Sequence, residues 1–230
     1  MGDNMKEYSV NYINDLMVRM AHHSTAIEGN TLSQGETKSI LIDNYLPRAM
    51  NMRELYEVLN YKTFIPFLLE SLEQERKMDI GFIKEIHRIL CNNAIESVPG
   101  EFKVTQNMVI GADFTPTPPY MVGTKLTDWQ LNLEFMLANA KTEKEKVEAI
   151  CRQHIEFEHI HPFPDGNGRV GRALMVYTCM LCDMPPIVIP VKEKAEYINY
   201  LNTENINGFV EYCLKIQKEE IERENAVNNC

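Results

Sequence analysis

"HPFPDGNGRVGR", residues 161–172, packs one histidine, one aspartate, two arginines and three glycines into twelve residues. On its N-terminal side, Thr142 to Glu145 reads as a capping box that opens a helix running to about Ile160. On its C-terminal side, 173–184 is apolar on nearly every face, as suits a helix in the centre of a bundle, and Pro185-Pro186 ends it. The stretch therefore joins two helices and puts Gly166, Asn167 and Gly168 at the N-terminus of the second. Exposed N–H groups and the positive end of the dipole favour an anion there, by roughly 0.3–2 kcal/mol. Glycines let a phosphate approach the backbone with no Cβ in the way. Arg169 and Arg172, three apart, are expected to reach toward the same end of the helix. Asp165 can hold Mg²⁺, and His161 can take a proton from an incoming hydroxyl. These residues make a set suited to phosphate chemistry.

Two plainer readings compete. Taken alone, "DGNG" is first of all a turn, and the loop lacks GxxxxGK, so it is not a P-loop. His154, His159, His161 and Asp165, with His22 and His23, also suggest a metal centre. However, the HxxxxHxH spacing matches no common zinc pattern and few acidic residues surround it. His154 and His159 are expected to be packing or orienting groups.

The rest of the chain supplies a helical frame. Val10, Ile13, Leu16, Met17 and Met20 follow three-and-four spacing, and that helix stops at Gly29-Asn30. "SQGE" from Ser33 is a second capping box. A long helix is expected over 50–72 with Pro66 as its break. Asp79 caps another, carrying Ile80, Ile83, His87 and Leu90. Further helices fit 125–137, 193–202 and 207–223, followed by a polar tail. Only 98–121 departs, rich in Pro, Thr and Gly with a β-type run at Met108, Val109 and Ile110. A loop of about two dozen residues inside a compact domain is usually functional or disordered. The expected class is all-α with one small β-hairpin.

Composition bounds the partners. The 230 residues are 44% hydrophobic and 24% charged, as in ordinary globular proteins, with no repeat or linker that would divide them. Asp and Glu outnumber Lys and Arg by 33 to 23, for a net charge of -10, so a nucleic-acid partner is not expected. No apolar run has membrane length, and no signal peptide is seen. "MGDNMK" has Gly2 but Lys6 where a myristoylation signal wants Ser or Thr. Of six cysteines, Cys179 and Cys182 have CxxC spacing on one helix face, which reads as core packing. Reduced thiols point to the cytoplasm.

The 161–172 stretch is similar, position by position, to HxFx(D/E)GNGRxxR, the signature of the Fic (filamentation induced by cAMP) family, with all fixed positions present. The resemblance runs from about Ser24 to Val210. It implies a Fic-fold helical bundle that transfers AMP from ATP to a Ser, Thr or Tyr hydroxyl of a target protein, pyrophosphate leaving. His161 would be the general base and Asp165 the Mg²⁺ ligand. Gly166, Asn167 and Gly168 would form the anion hole. Arg169 would contact the phosphates, Arg172 would hold the γ-phosphate, and Phe163 would anchor the loop. The 98–121 segment resembles the family's flap, with Met108, Val109, Ile110 and Gly111 as an edge that docks the target by strand pairing. Tyr197 and Asn205 fall where relatives line the adenine pocket.

"STAIEGN", 24–30, resembles the family's inhibitory motif (S/T)xxxE(G/N). Ser24 would be the motif's first position and Glu28 would pair with Arg172, since an occupied guanidinium cannot clamp a γ-phosphate and a carboxylate repels a triphosphate. The resemblance thus divides the chain into an inhibitory helix, 1–30, and a catalytic unit, 31–230. Self-modification, de-AMPylation, another nucleotide, a non-catalytic binding module and a homo-oligomer stay open.

Overall fold

The computed structural model describes residues 7–109 and 114–229. Ten α-helices follow one another among them: α1 Val10–Ile27, α2 Gln34–Leu41, α3 Met52–Leu59, α4 Tyr61–Glu73, α5 Ile80–Leu90, α6 Val122–Asn139, α7 Glu143–Ile160, α8 Asn167–Leu181, α9 Lys194–Thr203 and α10 Ile206–Asn228. Local sequence sets most of their starts. The Ser33/Glu36 and Thr142/Glu145 boxes close as side chain and backbone trade hydrogen bonds, and Asp79 accepts from Phe82 N–H.

Helix α8 lies at the centre. All of its residues except Gly168 and Leu181 are buried. Its Val170, Ala173, Leu174, Val176, Tyr177 and Met180 join a core with α1 to α6. Met175 and Cys179 face a second core built from α7, α9 and α10. Burying each large aliphatic side chain contributes about 1.5–3 kcal/mol, so one helix shared by two cores is held firmly. Its N-terminal turn, which carries the glycines, is therefore a fixed platform.

The expected 50–72 helix is two helices, and the break falls at Asn60 rather than Pro66, which sits inside α4. Pro66 has no N–H for the carbonyl of Lys62, yet α4 runs through both, so the break two residues before Lys62 has another cause. Asn60 holds the break by donating from Nδ2 to the carbonyls of Leu90 and Asn92, at 2.9 Å each. The last helix, expected to end at about Arg223 before a polar tail, runs on to Asn228. There Glu220 accepts from Arg19 (2.6 and 2.8 Å) and Tyr12, while Asp15 accepts from Arg19 and Arg223, tying α10 to α1.

The expected β-hairpin over 98–121 is not seen. Among the described residues there is no strand, while Ile110 and Gly111 lie outside them, as do Gly2, Lys6 and Cys230. Pro116, Pro118 and Pro119 take donors from the returning arm. The segment bonds instead to the α7–α8 connection: Lys103 N–H to Pro162 O (2.9 Å) and Thr117 N–H to His159 O (3.1 Å). Its described residues form a pinned loop. The described cysteines are free, Cys179 buried and Cys182 partly so. No helix among the described residues is long and apolar enough to cross a membrane.

Candidate active site

The α7–α8 connection is a tight reversal held by its own side chains. His161 ends α7 in the left-handed region, φ 47°, with its N–H on Phe157 O at 2.9 Å. Phe163 is fully buried and stacks on His87, centroids 3.8 Å apart and planes 6° from parallel. Gly100 N–H donates to His87 Nδ1 at 2.7 Å, so His87 carries its proton on Nε2 and donates it to Asp165 O at 2.9 Å. One buried imidazole thus joins the start of the 98–121 loop to the signature loop. Burial pulls its pKa to about 4, which keeps it neutral. Lys103 Nζ on Ile160 O and Asn107 Nδ2 on the carbonyls of His161 and Phe163 complete the frame.

Asn167 is spent on the same loop: Oδ1 accepts from Phe163 N–H and Nδ2 donates to Phe163 O, both at 2.8 Å. The expected anion cradle therefore has backbone donors only. Gly166 starts α8 with φ 80° and no side-chain cap, unlike α1, α2, α3, α5, α7 and α10. The first-turn N–H groups have no carbonyl four residues back to bond. A Cβ at Gly166 would collide with Cys91 Sγ, and one at Gly168 with Glu28 Oε1. The second collision locates the Glu28 carboxylate over the uncapped helix end, in the space an anion would take.

The two arginines diverge instead of reaching one way. Arg169, 1% exposed, lies 3.3 Å from Asp165 Oδ1 and 3.6 Å from Glu57 Oε1. Arg172 turns to α1. Its Nε donates to Ser24 Oγ at 2.9 Å, and Nη2 donates to Ser24 O at 2.8 Å and Glu28 Oε1 at 2.6 Å. Burial pushes the Glu28 carboxyl up, but the Arg172 guanidinium outweighs it and holds the group below its ordinary range.

Asp165 accepts from Arg53 Nη2 at 2.9 Å and from Gly166 N–H at 2.6 Å, with its side chain 43% exposed. No cluster of three acidic, histidine or cysteine ligands occurs among the described residues. One exposed carboxylate fits Mg²⁺ that arrives on phosphate oxygens, since that ion keeps waters and takes only one or two carboxylates.

A cavity of about 120 Å³ opens between these groups. Its walls include Glu28, His161, Gly168, Arg172, Val109 and Tyr197. Small-molecule sites usually run ~300–1,000 Å³, so this cavity is smaller than an ordinary ligand site, and the Glu28 carboxylate is one of its walls. Burial pulls the His161 imidazole down to about 4, leaving it neutral, and its Nδ1 faces Glu158 O at 3.3 Å. Tyr197 is buried with its hydroxyl 2.8 Å from His154 Nε2. Asn205 is exposed and caps α10 by accepting from Gly208 N–H, whereas Asn202 lines the cavity. Met108 is 85% exposed and Val109 half-buried. His159 stacks on Phe114 at 4.0 Å, and His22 faces Leu32 O, so neither joins a metal cluster.

Several site residues carried no clear signal in the sequence. Arg53 and Glu57 lie on α3, far along the chain from the residues they meet. Glu158 looked like any polar helix position. A lone histidine on an apolar stripe was the one available hint for His87.

Residues 77–179 match the Fic/DOC family. Protein adenylyltransferase fic-1 of Caenorhabditis elegans is 34% identical over 210 residues, covering 88% of this chain and 40% of that protein. The chain spans about 40% of the length of the curated relatives it matches first. A solved structure of Fic-1 from C. elegans superimposes with a TM-score of 0.81 at 30% identity, over 98% of this chain and 68% of that one. A Fic-domain-containing signalling protein from Bacteroides thetaiotaomicron VPI-5482 superimposes with a TM-score of 0.83 at 22% identity, over 95% and 89% of the two chains, and supports the fold. By these matches, and with the same helical architecture, the chain belongs to the Fic/DOC family.

Proposed function

We propose that this chain is an autoinhibited protein adenylyltransferase that moves AMP from ATP to a Ser, Thr or Tyr hydroxyl of a target protein. The observation that carries the reading is the Glu28 carboxylate, 2.6 Å from Arg172 and over Gly168, in the cavity that His161 lines. Further support comes from relatives that bear the name protein adenylyltransferase.

In the reaction the hydroxyl oxygen bonds to the α-phosphorus while the bond from that phosphorus to pyrophosphate breaks. His161 holds its proton on Nδ1 toward Glu158 O, which leaves the Nε2 lone pair to accept the hydroxyl proton. The first-turn N–H groups of α8 stabilise the charge that grows on the phosphate oxygens. Arg169 and Arg172 bind phosphates once Arg172 leaves Glu28. Asp165 would hold Mg²⁺, whose chemistry there is to neutralise charge on the leaving pyrophosphate. Tyr197 closes the inner end of the cavity on the adenine side. Residues 1–30 act as the inhibitory arm on the 31–230 unit, and the loop around the exposed Met108 receives the target protein.

The test compares Glu28→Gly with Glu28→Gly/His161→Ala, using ATP labelled at the α-phosphate. Protein-bound label in the first and none in the second, at equal ATP affinity, is the expected result. Equal labelling would remove His161 from the chemistry. Release of AMP from a modified protein instead of its attachment would favour hydrolysis by the same groups.

A further inference from the structure

Glu158 sits one turn before His161, at the end of α7, and nothing in the signature loop accounts for it. Its residue is 7% exposed, and its Oε1 is buried with no hydrogen-bond partner. Leaving a buried polar atom unmatched is costly, more so for a charge, so the position needs a reason. The chain also makes room for it. A Cβ at Gly171 would collide with Glu158 Oε1, and a glycine inside a helix is less favourable than alanine. Two unfavourable choices, on different helices, converge on one carboxyl. Its other oxygen, Oε2, is 3.9 Å from His161 Nδ1, and the carboxyl lines the same cavity as His161 and Arg172.

We propose that Glu158 is the positioning partner of His161: its carboxylate keeps the ring protonated at Nδ1 and neutralises the imidazolium formed when Nε2 takes the substrate proton. This rests on the adenylyltransferase reading for the identity of the reaction, though the pairing itself does not. At 3.9 Å the contact is longer than a hydrogen bond, and the main-chain oxygen at 3.3 Å is a weak substitute. Such contacts are often long in empty sites and tighten as the reacting complex forms. The balance is simple. One proton leaves the hydroxyl for Nε2, the ring gains one positive charge, and the carboxylate 3.9 Å from Nδ1 makes the pair neutral overall. A protonated Glu158 would leave that charge uncompensated in a buried site.

The charges around the pair fit this role. Arg172 faces Glu158 from α8, Glu28 from the end of α1, Tyr197 from α9, and His154 from one turn earlier on α7; Lys103 faces His161 from the 98–121 loop. Burial pushes the Glu158 carboxyl up to about 7, Arg172 opposing and Glu28 adding to the rise. Burial pulls His161 down to about 4. Near neutral pH the carboxyl is therefore poised between its two forms while the ring is neutral and ready to accept.

The test follows the imidazole ring by long-range ¹H–¹⁵N spectra of the full chain across pH, with no substrate, and His161 identified by its absence in His161→Ala. The ring signal of the wild type should show the Nδ1–H tautomer and an inflection near the Glu158 titration at about 7. Glu158→Gln should abolish the inflection, and Gly171→Ala, which crowds the carboxyl without removing it, should displace it. An unmoved inflection and an unchanged tautomer in both would overturn the pairing. Should Glu158→Gln not fold, Gly171→Ala decides by the same criterion. In the Glu28→Gly background, Glu158→Gln should lower kcat for AMP transfer on the order of 100-fold, keep KM for ATP, and lose the rise of rate with pH. A rate loss with an unchanged pH profile would mark Glu158 as structural. Absence of AMP transfer in every variant would sink the adenylyltransferase reading, while the spectra would still judge the pair.

Discussion

Replacing Glu28 by glycine should tighten ATP binding by about 5–30-fold, and the figure follows from one contact. Arg172 makes three donations, two to Ser24 and one to Glu28 Oε1 at 2.6 Å. Only the last must be given up for a phosphate to take the guanidinium. A hydrogen bond to a charged group is worth about 1.5–3 kcal/mol. The Glu28 side chain is 40% exposed, so solvent screening trims this to about 1–2 kcal/mol. At 1.4 kcal/mol per tenfold, that is the predicted gain. The fold should survive, because α1 stays tied to α10 through Arg19, Glu220 and Asp15, none of which touches Glu28. The assay is calorimetric titration with a non-hydrolysable ATP analogue and Mg²⁺ on the wild type, Glu28→Gly and Glu28→Gln. The glutamine keeps most of the volume without the charge and should fall between the other two. Equal affinity in all three would refute the idea that Glu28 competes for the phosphate site.

Two further outcomes come from the platform and from pH. Gly166→Ala should destabilise the chain by about 2–4 kcal/mol, since it combines a positive φ with a collision against Cys91 Sγ. Melting would then fall by roughly 4–16 °C, and Cys91→Ala should restore part of it; an unchanged melting point would mean the loop yields freely. Glu158 holds a proton up to about 7 in the folded chain, while in the unfolded chain it releases it near 4.5. Wild-type stability from this group is thus highest below that lower value and declines as pH rises to about 7. Denaturant unfolding should show Glu158→Gln gaining on the wild type across that window, by a total on the order of 3 kcal/mol. A pH-independent difference would contradict the raised titration.

What could be read from the chain depended on how local the signal was. Helix starts at Ser33, Asp79 and Thr142 were legible because a capping side chain bonds a backbone group three residues away. The core position of α8 followed from a run apolar on all faces. The Glu28–Arg172 contact spans more than half the chain, and only the resemblance joined its halves; the bonds of Arg172 to Ser24 came with the structure. The break at Asn60 was missed because its cause is a pair of carbonyls at the end of α5, which no periodicity reveals. The side-chain amide of Asn167 closes the loop on Phe163, a use that the resemblance did not indicate. The 98–121 hairpin failed for a related reason: a short apolar run specifies a strand only if some backbone is there to pair with it. His87 and Arg53 meet their partners through tertiary contacts, and Glu158, three residues before His161, looks on its own helix like an ordinary polar position.

The central claim is that adenylate, and not phosphate, is what this site transfers, and that Glu28 restrains it. Intact-mass measurement of the wild type and Glu28→Gly after incubation with ATP and Mg²⁺ addresses both parts at once, with self-modification as the readout and a panel of candidate target proteins alongside. The account predicts a mass gain of one adenylate on the chain or a target, larger in Glu28→Gly and absent in Glu28→Gly/His161→Ala. A gain of one phosphate, or equal adenylate on wild type and variant, would contradict it.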